Sequence, residues 1–461
     1  MASLLQLFPN SRRDSINRKI FRAALVIGLL SILARIAGTS KELVVAHALG
    51  RSDALDAFLI AFLLPSFAVS LLMGALGSAL LPVLVDTQQK QGADKALDLL
   101  SNVLCVGAAL LVIVAIVLGA GAPLYLPLVA HNFSPAKLLL TRKLLYLLLP
   151  WIVFSGMGTI LGYTMNAGEK FAIPALVPLI TPLVTMTFLL IAHDHYAVWL
   201  AGGTVMGGLL EWLVLLRVLW SHGIRLRFRW AGFTRPVKTV MAQYLPMLAG
   251  AFLMGGTTVV DQAIAAMLPA GSVAALNYAT KISGAVLLVG ATALSTAAFP
   301  YLSKMIAEND WHGCRHTLKR YVLLITAVTV PSTLLLIVFS NSIIRILFER
   351  GAFSSADTRV VGMVQACAFL QLPFHFLCIL LARFISAVKR NDLLMYASAI
   401  NLTVNVIMDL VLMRIFGIAG IALSTSVVML VSLTFLSISS VYLLRRHTPS
   451  MMPAQVPVNT L

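Results

Sequence analysis

Long apolar runs without a charge limit what this chain can become more than any other feature, and "VLCVGAALLVIVAIVLGAG" (103–121) is one of them. A helix needs ~20 mostly apolar residues to cross ~30 Å of hydrocarbon. Inside lipid every backbone N–H and C=O must be bonded within the protein, which leaves helices or closed barrels as spanning forms. The runs are continuous rather than alternating, so they select helices. Spans are expected near 20–48, 53–84, 97–121, 138–165, 171–193, 197–220, 238–267, 273–302, 318–341, 358–388, 392–414 and 418–444. A content of 59% hydrophobic and 11% charged residues over 461 positions, with mean hydropathy +0.94, is more apolar than any water-soluble core of this length requires. The expected fold is an all-α polytopic membrane protein of about 12 transmembrane helices.

The net charge of +17 would suit nucleic acid, but the placement of the bases argues against it. Arg12, Arg13, Arg18, Lys19 and Arg22 precede the first span, Lys90 and Lys95 follow the second, and Arg225, Arg227, Arg229, Arg235 and Lys238 follow the sixth. Lys304, Arg315, Lys319 and Arg320 follow the eighth, Lys389 and Arg390 the tenth, Arg445 and Arg446 the last. With twelve spans all of these fall on one side, which the positive-inside rule makes cytoplasmic, with both termini inside. The opposite loops hold few bases, chiefly Arg51, Lys137, Arg345 and Arg350. The basic N-terminus followed by an apolar run has no clear small-residue cleavage site and is read as an uncleaved first span. Cys105, Cys314, Cys367 and Cys378 form no CxxC pair, so no disulfide or structural metal is expected.

Two stretches repeat. "GALGSALLPVL" (74–84) and "TALSTAAFPYL" (292–302) share Ala, Leu, Ala, Pro and Leu in register at an offset of 218, and the spans at 147–170 and 370–391 both carry an early Leu-Pro and a basic exit. The chain therefore reads as a cytoplasmic segment 1–19, a six-helix half 20–220, a basic linker 221–238, a second six-helix half 239–446 and a tail 447–461. An even number of spans in each half implies parallel pseudo-repeats around a central cavity, whose access alternates as the halves rock.

Charges at span depth cost ~2.5–3.5 kcal/mol or more each and face a cavity or a partner. Arg35 sits mid-run beside Gly38, and with Lys41 and Lys281 it would line a cavity for an anionic cargo. Asp261 interrupts another run. Asn405 and Asp409, four apart, share one helix face, and Ser424 and Thr425 follow on the next helix. Two carboxylates, an amide and a hydroxyl make a hard oxygen set for an alkali cation, and a proton shared by the acids or a purely structural hydrogen-bond network fits equally well. Lys41, Glu42 and Asp56 flank the first outer loop, Glu211 and Arg217 can pair along one helix, and His375 reads as a packed polar residue.

The sequence resembles the MurJ/MviN family of the multidrug/oligosaccharidyl-lipid/polysaccharide flippase superfamily over nearly its whole length. "ARIAGTSKELVVAHALG" (34–50), "DAFLIAFLLPS" (56–66), "YTMNAGEKFAIPALVPLI" (163–180), "VVDQAIAAMLPAGSVAALNYATKI" (259–282), "LFERGAFSSADT" (347–358) and "AGIALSTS" (419–426) carry the resemblance. It implies an inverting carrier of undecaprenyl-pyrophosphate-linked glycans, typically lipid II, without catalytic residues. Arg35, Lys41 and Lys281 match basic positions that would hold the pyrophosphate, and Asp261, Asn405, Asp409 and Thr425 look similar to a sodium site of some members. The chain departs from the family in "FAVSLLMGALGSA" (67–79), which lacks the usual arginines, and in having twelve spans where many members have two more. Both departures favour a relative that carries another glycan, such as an exopolysaccharide repeat unit.

The expected function is alternating-access export of a polyprenyl-pyrophosphate-linked glycan from a bacterial inner membrane, with no cofactor beyond a coupling Na+ or H+. The expected partners are the cargo, membrane lipids and polysaccharide or peptidoglycan synthesis proteins, with the carrier itself monomeric. A cation-coupled multidrug antiporter has less need of three bases. A glycosyltransferase or ligase would need a large outer loop, and a non-transporting scaffold leaves the intramembrane charges unexplained.

Overall fold

The computed structural model describes residues 16–447 apart from 169, 222–231 and 233. The segments 1–19 and 447–461 and the linker 221–238, with Arg12, Arg13, Arg225, Arg227 and Arg229, lie wholly or largely outside these residues. In chain order the helices are α1 Ile16–Leu49, α2 Asp53–Gln91, α3 Ala93–Val129, α4 Pro135–Ala167, α5 Ala172–Ile191, α6 Tyr196–Ser221 and α7 Arg235–Ala265. They continue as α8 Ser272–Ala307, α9 Trp311–Val338, α10 Ser340–Phe348, α11 Ser355–Phe369, α12 Leu372–Ala387, α13 Asn391–Phe416 and α14 Ile418–His447. Among the described residues, 11 helical stretches are long and apolar enough to cross a membrane, with α11 and α12 counted as one. The expected first span falls in α1, a helix of 34 residues.

Three features differ from the span map. Several helices run past the hydrocarbon: α2 continues through Gln88, Gln89 and Lys90, where an i,i+4 pair joins Lys90 to Asp86 at 2.7 Å. Hydropathy marks the lipid, whereas helix formers carry the backbone on beyond it. Proline breaks two spans, because it lacks an N–H and clashes with the preceding turn. Pro174 and Pro178 accompany a 3-10 turn at Val177–Leu179 inside α5, and Pro373 follows the break between α11 and α12, where Gln371 Nε2 donates to the carbonyl of Ala368 at 2.8 Å. Residues 340–348 form the separate helix α10, tied by the Ser340 hydroxyl to the carbonyl of Gly362 at 2.6 Å.

The chain divides into two compact units, one of residues 1–45, 68–120 and 146–245, the other of 46–67, 121–145 and 246–461. In the first, α5 and α6 pack through glycines: a Cβ at Gly207 would lie 2.6 Å from Thr181 Cα. Small residues allow such close approach where lipid provides no hydrophobic drive between helices. The Tyr163 hydroxyl donates to the carbonyl of Met73 at 3.1 Å, and its ring lies on Gly77 in the stretch 67–79. In the second unit α9, α11, α12 and α14 enclose a core containing Leu318, Phe369, Leu380, Phe384 and Leu436. α13 and α14 meet at Gly420, where a Cβ would fall 2.2 Å from the Leu412 carbonyl oxygen.

Candidate functional site

The acids expected to form a site do meet. Asn405 and Asp409 lie one turn apart on α13 and are 2% and 0% exposed. Asn405 Nδ2 donates to Asp261 Oδ1, on α7, at 2.8 Å. The Asp261 and Asp409 carboxyl groups lie close enough to interact electrostatically. The Ser424 hydroxyl, from α14, reaches both Asp409 Oδ1 and the carbonyl of Ile421. Thr425, the hydroxyl expected here, instead bonds back to the carbonyl of Ile421 at 3.4 Å. Two buried acceptors, Asn405 Oδ1 and Asp409 Oδ2, have no hydrogen-bond partner among the described residues. A buried acceptor left unmatched costs ~1–3 kcal/mol. A set of carboxylate, amide and hydroxyl oxygens with two acceptors to spare fits a hard cation such as sodium, or a proton between the acids.

The expected bases fall in different units. Arg35 is exposed on α1 in the first unit, and Lys41, half-buried on the same helix, pairs with its neighbour Glu42 at 3.0 Å. Lys281 is exposed on α8 in the second unit.

The structure adds a cluster that the sequence did not single out. Asp56, 1% exposed, accepts from the backbone N–H groups of Gly271 at 2.7 Å and Ala274 at 2.8 Å. These are at the start of α8, whose N-cap Gly271 has φ 81° and supplies no capping side chain. Asp56 therefore caps a distant helix and meets the positive end of its dipole. Lys137, from α4, completes the cluster: its ammonium donates to Asp56 at 2.9 Å and Asp53 at 2.5 Å, and lies 4.0 Å from the centre of the Phe133 ring. Sequence pointed to the members only singly, Asp56 as an acid flanking the first outer loop and Lys137 as a base on the side with few.

The same unit explains "LFERGAFSSADT". Phe348 packs against Tyr278 at a tilt and Phe353 edge-on, and the Tyr278 hydroxyl donates to the carbonyl of Gly50 at 3.1 Å. Gly351, with φ 60°, lets Ala352 N–H reach the carbonyl of His47 at 2.8 Å. Ser354 and Asp357 form the capping box of α11, and Asp357 also pairs with Arg51 at 3.3 Å.

Other intramembrane polar groups serve packing. Glu211 Oε1 accepts the backbone N–H of Thr181 at 3.2 Å, just after the 3-10 turn of α5, rather than serving Arg217. Arg383 donates to the Ser295 hydroxyl at 3.1 Å.

Bundled helices with apolar outer faces, interrupted spans and a buried acid and amide set at span depth define a multi-pass membrane transporter. Solved structures agree on the fold: one of a lipid II flippase MurJ in an inward closed conformation matches with TM-score 0.74, 24% identity and coverage of 90% of this chain and 87% of that one. An inward-facing multidrug resistance MATE transporter of the MOP superfamily matches with TM-score 0.71 and 10% identity, over 93% and 100%. The family model "Lipid II flippase MurJ" matches residues 45–453, and the chain belongs to that family. A curated relative, the probable lipid II flippase MurJ of Synechocystis sp., is 24% identical over 91% of this chain and 81% of its own length. This is a family of transporters, not of catalysts.

Proposed function

We propose that this chain moves a polyprenyl-pyrophosphate-linked glycan, the class to which lipid II belongs, across a bacterial cytoplasmic membrane by alternating access. Membership of the MurJ family carries this reading. The cargo's anionic head binds Arg35, Lys41 and Lys281, with Lys acting as a point charge where Arg offers a bidentate fork. Both termini face the cytoplasm, as the distribution of bases favours.

The contacts of Asp56, Lys137 and the start of α8 act as the outer latch. Cargo release outward requires them to part, and the capped helix end and the ion pair re-form as the carrier returns. Asp261, Asn405, Asp409 and Ser424 hold a sodium ion or a proton that biases this cycle, because a ligand shifts a conformational equilibrium only through unequal affinity for its two states. The experiment is to express this chain in bacteria depleted of their own lipid II flippase. Accumulated lipid-linked precursor should fall and growth resume; accumulation as high as in the empty-vector strain would refute the reading.

A further inference from the structure

An open groove of about 1140 Å³ runs between α9, α12 and α14, apart from the acid cluster and the latch. Its two ends differ. Trp311 stacks on His447 at 4.3 Å between ring centres, so the start of α9 lies beside the end of α14. At that end three lining bases gather: Arg315 and Lys319, one helical turn apart and both exposed, and Arg445 in the last turn of α14. None of the three has an ion-pair partner among the described residues. Deeper in, the walls are apolar, with Leu323, Leu381 and Leu433.

Length and polarity together select an occupant. From Arg315 to Thr326 the α9 wall rises ~16 Å at ~1.5 Å per residue. That is about half of a ~30 Å hydrocarbon core, one leaflet deep. A partner helix would run the full thickness and would have to bring carboxylates to the basic end. A single lipid of the adjacent leaflet matches the depth, and an anionic headgroup answers the three bases. Ser440 adds an independent sign: it lines the groove, is 3% exposed, and its buried hydroxyl has no partner among the described residues. It lies ~7 Å along α14 from Arg445 by helical rise, the depth at which the ester oxygens of a phospholipid follow its phosphate.

We propose that this groove binds one anionic phospholipid, with its phosphate among Arg315, Lys319 and Arg445, an ester oxygen accepting from Ser440, and an acyl chain along Leu323, Leu381 and Leu433. The site lies on the outer face of the helix bundle and does not depend on the cargo or on the coupling ion.

The test is native mass spectrometry of the full chain released from nanodiscs of equal parts phosphatidylglycerol and phosphatidylcholine with identical acyl chains. The wild type should retain one phosphatidylglycerol in preference to phosphatidylcholine. Each lining base replaced in the series Arg315→Gln, Lys319→Gln and Arg445→Gln should lower that ratio about fivefold, the equivalent of ~1 kcal/mol per base near a charged headgroup. A charge-matched control, Lys95→Gln with Lys238→Gln and Lys304→Gln, should leave the ratio unchanged and so separate a site from general attraction to a basic protein. Filling the groove with Leu433→Trp should reduce retention of both lipids in a protein that stays monodisperse. Equal retention of the two lipids, a loss in the control as large as in the lining variants, a second copy of the chain covering the groove, or displacement of phosphatidylglycerol by an equal amount of polyprenyl phosphate would each overturn the proposal.

Discussion

The Asp56 carboxylate accepts the backbone N–H of Ala274 at 2.8 Å across a chain separation of 218 residues, the same offset that relates the two repeats in sequence. A residue at the start of α2 thus caps α8, the helix that carries the matching stretch 292–302. Lys137 holds that carboxylate in place while both are less than a tenth exposed.

Removing Lys137 leaves Asp56 buried with only its backbone donors. Breaking a buried pair by deleting one partner typically costs ~3–5 kcal/mol. Lys137→Met should lower the midpoint of thermal unfolding in detergent by several degrees. The double variant Lys137→Met with Asp56→Asn should recover part of the loss, since the amide oxygen still caps α8 without a stranded charge. An unchanged midpoint in Lys137→Met would remove the latch from the account.

The acid cluster predicts a cation-specific stabilisation. A ligand at 100 times its dissociation constant adds ~2.7 kcal/mol to the state that binds it. Sodium should raise the wild-type unfolding midpoint relative to a large organic cation at equal ionic strength, and Asp409→Asn should abolish the rise. A rise that survives in Asp409→Asn would make the cluster a structural network.

At Gly420 the added methyl of Ala would meet the backbone of Leu412, which cannot swing aside as a side chain can. Overpacking of this kind costs ~1–3 kcal/mol. Gly420→Ala should lower the midpoint and also shrink its sodium-dependent rise, because Ser424 sits one turn further along the same helix. A full sodium response in this variant would show the cluster to be indifferent to the α13–α14 contact.

Glu211 is predicted to act as a backbone acceptor. Glu211→Ala strands the N–H of Thr181 and should cost ~1–3 kcal/mol. Glu211→Gln keeps a carbonyl oxygen there and should cost less, as measured by the same unfolding midpoints. Equal losses would show that charge, not acceptor geometry, matters at this position.

Local patterns made part of this legible in sequence. Asn405 and Asp409 lie four apart, so helical geometry alone put them on one face, and the apolar run around Asp261 marked it as needing a partner. The partner hydroxyl was less accessible to such reasoning: Ser424 and Thr425 are adjacent, and which one turns toward α13 depends on the rotational setting of α14. The latch was harder still, because Lys137 lies 81 residues from Asp56 and only tertiary packing joins them. Hydropathy located the spans but not their breaks or ends, since it records affinity for lipid and not the path of backbone hydrogen bonds. The motif "LFERGAFSSADT" could be matched to a family without revealing that Gly351, Phe353 and Asp357 each make a separate contact.

The proposed carrier role rests on a binding site for a lipid-linked pyrophosphate that includes Lys281. Its most direct test is a flipping assay in proteoliposomes loaded with a fluorescent lipid II analogue, with the transferred fraction read by quenching from one side. The wild-type protein should speed transfer well above protein-free vesicles, and Lys281→Ala, reconstituted to the same level, should fall to the protein-free rate. Transfer by Lys281→Ala at the wild-type rate, or no acceleration by the wild type, would contradict it.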